Sequence, residues 1–343
     1  LLNKDVQFAE DCIGDKVSVL ASHLEAGEVL LLENLRYHKE EEENNEDFAK
    51  NIVASTGAEV FVQDAFGTAH RAHASTDAIT KLLPSVAGLL LEKEVDTITT
   101  AMENPARPLM VVIGGAKISD KIEVLKKFIE IADFVAVVGA MANTFLDATG
   151  VNIGKSISEK DEVETAKDII EAADEKASRT NFTFFLPRDV VVAKEMNANG
   201  PTRIVDLSNH NWADITSYPQ KPSTELFEVA GDEMILDVGP FTASYIAGAA
   251  KLSKTAIWNG TCGVAEVKGL SGAADPFAHA TRIVVDGLVG ESAGGLDHPF
   301  TIVGGGDTVS YVESIPGLRE RFGHVSTGGG ASLELMAGKV LPG

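Results

Sequence analysis

The chain has 343 residues, 44% of them hydrophobic and 23% charged, and its 29 Lys and Arg against 51 Asp and Glu give a formal net charge of −22. That apolar share supports substantial cores, argues against intrinsic disorder, and at this length suggests about two domains. The acidic balance argues against a general nucleic-acid or anionic-membrane surface, because both would repel it. Anionic substrates would need positive pockets set into a negative coat. Cys12 and Cys262 are the only cysteines and form no CxxC, so no disulfide framework is expected and a reducing cytoplasm fits best. No apolar run reaches the ~18 residues of a membrane span, and no signal-peptide pattern is present. The sequence opens on Leu1 in mid-pattern, and its true start is expected upstream.

In chain order, short apolar and often β-branched runs predict buried strands at Val29–Leu32, Val60–Val62, Leu109–Ile113, Phe134–Val138, Phe182–Leu186, Thr255–Trp258, Arg282–Val285 and Phe300–Val303. Helical patterns lie between them at Glu46–Ser55, Gly88–Met102, Ser119–Ile131, Met141–Ala148, Lys160–Ala177 and Gly239–Ala250. This alternation implies an α/β fold with parallel sheets and right-handed crossovers. Pro84 and the Asn104–Pro108 stretch bracket the Gly88–Met102 helix, which suits a rigid connector between lobes. Tyr218–Ser223 reads as a loop within the larger domain, and Glu40–Glu43 as a solvated helix face.

Four strands end in glycine: Ile113-Gly114-Gly115, Val138-Gly139, Trp258-Asn259-Gly260 and Val303-Gly304-Gly305-Gly306. Open parallel sheets bind ligands beyond the carboxyl ends of their strands, and glycine there lets backbone N–H groups approach an anion. Together they suggest one nucleotide or phosphate site. The stretch Gly150–Ser156 imitates a P-loop but has three spacers instead of four and follows a helix, so it is rejected; no GxGxxG follows a strand end, which weakens a dehydrogenase reading. In Gly114–Lys121, Ser119 or Asp120 could cap a helix, and Lys117 and Lys121, four apart, would share a face and hold phosphate oxygens. His70-Arg71-Ala72-His73 lacks a third metal ligand nearby; Arg71, like Arg36 beyond the Val29–Leu32 strand, suits a carboxylate or phosphate. Asp307 with Thr308 after the triple glycine suits Mg²⁺, and Ser326–Glu334 offers successive N–H groups opening a helix, an anion nest. Cys262 has no nearby His and reads as a small packed residue, not a nucleophile.

The segments Leu30–Arg36, Asp64–Thr76, Gly114–Lys121, Trp258–Gly260, Gly304–Thr308 and Ser326–Glu334, in this order, closely resemble the phosphoglycerate kinase family almost end to end. The resemblance implies two Rossmann-like three-layer α/β/α lobes with parallel sheets joined by an interdomain helix. It implies an incomplete N-terminal phosphoglycerate-binding lobe at 1–84, the helix at 85–103, a Mg-nucleotide lobe at 104–326, and a segment at 327–343 returning to the first lobe. It further implies transfer of a phosphoryl group between 1,3-bisphosphoglycerate and ADP, giving 3-phosphoglycerate and ATP, by a hinge-bending cytoplasmic monomer that binds neither nucleic acid nor membrane.

By matching positions, Arg36, His70 and Arg71 would bind phosphoglycerate. Lys117 and the amides of Gly328, Gly329 and Gly330 would stabilise the moving phosphoryl. Gly115, Ala116, Lys121, Gly139, Gly239, Asn259, Val264, Glu266, Gly305, Gly306 and Thr308 would bind nucleotide, with Val264 at the adenine and Glu266 at the ribose. Asp307 would hold Mg²⁺. The opening half of the family's first lobe, with three basic residues, is missing from the sequence. Ala140, Thr261 and Ala265 replace a glycine, a proline and an aromatic near the adenine pocket. The alternative is a non-catalytic Mg-nucleotide-binding protein.

Overall fold

The computed structural model describes residues 4–207, 227–269, 275–290 and 298–343. The Tyr218–Ser223 stretch lies outside the described residues. The chain divides into two compact units, residues up to Asp96 together with Lys339–Gly343, and Thr97–Gly338.

The first unit contains β1 (Val6–Phe8), α1 (Asp15–Ser22), β2 (Val29–Leu31), α2 (Lys39–Glu42), α3 (Glu46–Thr56), β3 (Phe61–Gln63) and β4 (Ser85–Ala87). β1 pairs parallel with β2, and β3 with β4. Residues 85–87, expected to belong to the connecting helix, are thus a strand. α3 starts where Asn45 Oδ1 accepts the amides of Asp47 and Phe48, both at 2.9 Å, and stops at Gly57 in the left-handed region (φ 65°). Phe48, Ala49, Ile52, Cys12, Ala74, Ala78 and Ile79 form this unit's core. α4 (Leu89–Glu103) begins where Asp64 Oδ1 accepts the Leu90 and Leu91 amides at 2.7 and 3.1 Å, and the division between units falls within it.

The second unit continues with β5 (Leu109–Ile113), α5 (Ile122–Ile131), β6 (Phe134–Val137), α6 (Met141–Ala148), α7 (Val163–Arg179), β7 (Thr183–Phe185), β8 (Asp189–Ala193), β9 (Arg203–Asp206), β10 (Met234–Val238), α8 (Pro240–Leu252), β11 (Thr255–Asn259), α9 (His279–Val289), β12 (Phe300–Gly304), α10 (Gly306–Glu313), β13 (His324–Val325) and α11 (Gly330–Met336). Six strands form a parallel sheet in the order β13-β12-β11-β5-β6-β7. Every residue of β5 and β11 is buried, as expected for continuous apolar runs covered on both faces. The core centres on Trp258, whose ring meets Tyr311 edge-on and Phe322 at a tilt.

Two features depart from the sequence reading. Arg282–Val285, expected as a strand, is helical within α9; Ala280, Thr281, Val284, Val285 and Leu288 recur at helical spacing on one buried face. A four-residue run with three β-branched residues does not by itself separate strand from buried helix. Gly287 lets α9 meet α8, since a Cβ there would lie 2.5 Å from Ala247 Cα. Second, β10-β8-β9 form an antiparallel sheet where only parallel pairing was expected. Both cysteines are free and buried, and no described helix is long and apolar enough to cross a membrane.

Candidate active site

The glycine-bearing ends of β5, β6, β11 and β12 lie along the carboxyl edge of the six-stranded sheet; those of β5, β6 and β11 interlock through their backbones, and that of β12 packs on the Asn259 side chain. Gly114 N–H donates to Asn259 O at 2.7 Å, and Gly139 N–H to Cys262 O at 3.2 Å. A Cβ at Gly260 (φ 105°) would sit 2.3 Å from the Gly114 carbonyl carbon. Only glycine tolerates both that angle and that approach. Gly260 N–H donates to Thr308 Oγ1 at 2.7 Å, so buried Thr308 anchors the β11 turn to the start of α10.

Beside these turns lies a cavity of about 180 Å³. Its wall includes Gly115, Ala116, Gly139, Val264 and Glu266 from the expected nucleotide set, and Asp307. Leu146, Val190, Ile235 and Val238 make it apolar enough for a planar base. Ala140 and Thr261, two of the three departures, also line it, whereas Ala265 is buried in the core. Gly239 is not in the wall; a Cβ there would lie 2.1 Å from the Asp189 carboxyl carbon, and this glycine makes room for the carboxylate that accepts the Phe241 and Thr242 amides of α8.

The two lysines of the Gly114–Lys121 stretch do not share a helix face. Residues 119–121 form a 3-10 turn, α5 starts at Ile122, Lys117 is exposed, and Lys121 turns inward. Lys121 Nζ donates to Asn259 Oδ1 at 2.7 Å and to Gly114 O. Burial pushes its ammonium down to about 8, against the opposing pull of Asp307 and Asp120. Asn259 is itself buried, and its Nδ2 has no acceptor among the described residues. A buried donor without a partner costs ~1–3 kcal/mol, which an anion oxygen would recover. Gly305 (φ 90°) packs against that amide and caps α10, followed by Gly306. Asp307 stands in the first turn of α10; its carboxylate takes no hydrogen bond from a described residue.

Gly329 (φ 49°) caps α11; Gly328 N–H donates to Ser326 Oγ at 3.1 Å, while the Gly329 and Gly330 amides have no acceptor among the described residues. Neither Ser119 nor Asp120 caps the turn before α5. Glu159 does, from 40 residues away, accepting the amides of Ile118 (2.5 Å) and Ser119 (3.1 Å) and the Ser119 hydroxyl (2.6 Å). The cavity also holds Asp237, which the sequence reading passed over. Burial pushes its carboxyl up to about 8, although it accepts the Val238 and Ala280 amides. Burial likewise pushes the Cys262 thiol up, which fits a packed residue and not a nucleophile.

In the first unit, Arg36 sits in a 3-10 turn after β2, with its Nε 3.8 Å from Glu42. Arg71 Nε donates to His70 Nε2 at 3.3 Å, and His70 Nδ1 is buried with no hydrogen-bond partner among the described residues. Arg36 shares no hydrogen bond or ion pair with His70 or Arg71. The acidic run Glu40–Glu43 is not all solvated. Glu41 is 3% exposed and accepts the Ser75 amide at 3.0 Å and hydroxyl at 2.5 Å, bracing the loop that carries His70 and Arg71.

The family model for phosphoglycerate kinase matches residues 1–339. The chain belongs to the phosphoglycerate kinase family. The phosphoglycerate kinase of Moorella thermoacetica is 42% identical over 343 residues, covering all of this chain and 77% of that protein. That of Chloroherpeton thalassium is 44% identical, covering all of this chain and 78% of its own. Among solved structures, the phosphoglycerate kinase of Coxiella burnetii aligns with a TM-score of 0.73 at 35% identity, over 92% of this chain and 71% of that one. That of Pyrococcus horikoshii aligns at 0.74 and 28% identity, over 98% and 76%.

Proposed function

We propose that this chain is a phosphoglycerate kinase, transferring the acyl phosphate of 1,3-bisphosphoglycerate to ADP and returning 3-phosphoglycerate and ATP. The family match over residues 1–339 carries this reading and disfavours the non-catalytic alternative. In-line phosphoryl transfer asks little acid–base chemistry of a protein; it asks for alignment and for positive charge around the equatorial oxygens. The apolar cavity takes the adenine, with Val264 against the base and Glu266 at the ribose. Lys121, the orphaned Asn259 Nδ2 and the turn at Gly305 and Gly306 take the nucleotide phosphates. Lys117 and the amides of Gly329 and Gly330 offer charge to the moving phosphoryl, the Gly328 amide being held by Ser326 Oγ, and Arg36, His70 and Arg71 bind phosphoglycerate.

Mg²⁺ belongs to the same reading. Asp307 fits a hard divalent ion, since its carboxylate lines the cavity and accepts no hydrogen bond from a described residue. When bound, the ion would neutralise nucleotide phosphate charge. A monomeric state, a cytoplasmic location and hinge-bending are also part of the proposal, resting on the family resemblance. The test is ATP formation from ADP and 1,3-bisphosphoglycerate, with and without Mg²⁺. Mg-dependent turnover supports the reading, and nucleotide binding without turnover would favour the non-catalytic alternative.

A further inference from the structure

The turn that carries Lys117 is held from outside its own segment. Its first amides, at Ile118 and Ser119, precede α5 and have no helical carbonyl to bond. Glu159 Oε2 takes both, at 2.5 and 3.1 Å, and Oε1 takes the Ser119 hydroxyl at 2.6 Å. The far side of the Glu159 segment is equally tied. Glu159 N–H donates to Thr144 Oγ1 at 3.1 Å, and the Ile157 carbonyl accepts Asn143 Nδ2 at 3.0 Å. Asn143 and Thr144 are buried in α6, and Asn143 and Ile157 both line the cavity. Residues 157–159 are thus hydrogen-bonded to the cavity wall at one end and to the residue after Lys117 at the other.

We propose that Glu159 is a positioning residue that fixes the Lys117 turn for phosphoryl transfer and ties it to the wall of the base-binding cavity. This rests on the kinase reading above. Burial disfavours its charge, but the bonds from Ser119 and Ile118 and the nearby Lys117 outweigh it and hold the carboxyl below its usual range. The group is therefore an acceptor-only carboxylate at neutral pH, suited to three donors. Lys117 is exposed and makes no hydrogen bond or ion pair with a described residue, so its placement depends on the backbone that Glu159 holds and on the charge of that carboxylate.

Glu159→Gln keeps the size but removes the charge, and its one carbonyl oxygen can take the two amides only if its NH₂ turns to the Ser119 hydroxyl and reverses that bond. A misplacement of about 1 Å at a reacting group can cost about 100-fold, so kcat should fall about 10- to 100-fold while KM for ADP changes less. Glu159→Asp, which keeps the charge, should recover part of the loss. Backbone hydrogen exchange at Ile118 and Ser119 should quicken in Glu159→Gln. A kcat within about twofold of the parent, with only a lowered unfolding midpoint, would mean a merely structural cap and overturn the proposal. Unchanged exchange at both amides overturns it too, even where the parent shows no turnover; a parent without turnover counts against the kinase reading alone. If Glu159→Gln does not fold, Ser119→Ala removes one of the three bonds and should lower kcat a few-fold, and an unchanged kcat there contradicts the proposal.

Discussion

The two units build their candidate residues into the fold differently. In the second, β5 and β11 are buried along their whole length, and the turns that follow them lock backbone against backbone. In the first, every residue of β1 and of β4 is exposed, and the expected site residues rest on a few polar contacts such as Arg71 to His70 and Glu41 to Ser75. Backbone packing fixes geometry with little freedom to relax, whereas side-chain contacts on short strands leave more. The second unit is thus the pre-organised part, suited to the charge placement that phosphoryl transfer needs.

Glycine substitutions can break that contrast. Gly260→Ala puts a Cβ into the Gly114 backbone at a left-handed φ and should destabilise the second unit by about 3–5 kcal/mol in urea unfolding. Gly57→Ala, also left-handed but with nothing within 4 Å, should cost only about 1 kcal/mol. Similar losses at both positions would remove the distinction.

Lys121 sharpens it further. Its folded value of about 8 lies below the ordinary 10.5, so between those pH values the unfolded chain binds the extra proton. Unfolding free energy should therefore rise with pH across that window, by up to about 3 kcal/mol from this group. The slope should flatten in Lys121→Met, and an unaltered slope would show that the ammonium is not desolvated. The smallest effect belongs to the surface of the first unit. Lys50 and Asp47 pair at 2.8 Å in solvent, and Lys50→Ala should leave the urea midpoint unchanged within error.

What the sequence could reveal followed the range of the interactions. The β5 and β11 runs and the glycines after them are local signals, and they lie where the pattern places them. Arg282–Val285 was misread because its partners on α8 decide between helix and strand, and no four-residue run contains them. Glu159 and Glu41 were passed over for a related reason: their partners at Ser119 and Ser75 lie 40 and 34 residues away, and an isolated acid beside other acids looks like a solvated face. The inward turn of Lys121 depends on Asn259, 138 residues on, so the four-residue spacing from Lys117 suggested a shared helix face that the 3-10 turn prevents. The net charge of −22 is consistent with anionic substrates because charges farther than about 10 Å are largely screened, which leaves the groups around Lys117 and Lys121 to set the local balance.

The central claim is that the second unit performs the transfer with Lys117 as its charged group. The most direct test is the steady-state rate of ATP formation from ADP and 1,3-bisphosphoglycerate by the parent and by Lys117→Ala. The account predicts turnover in the parent and a kcat lower by about 10³-fold or more in the variant, with KM for ADP little changed. A Lys117→Ala protein with the parent's kcat would contradict it.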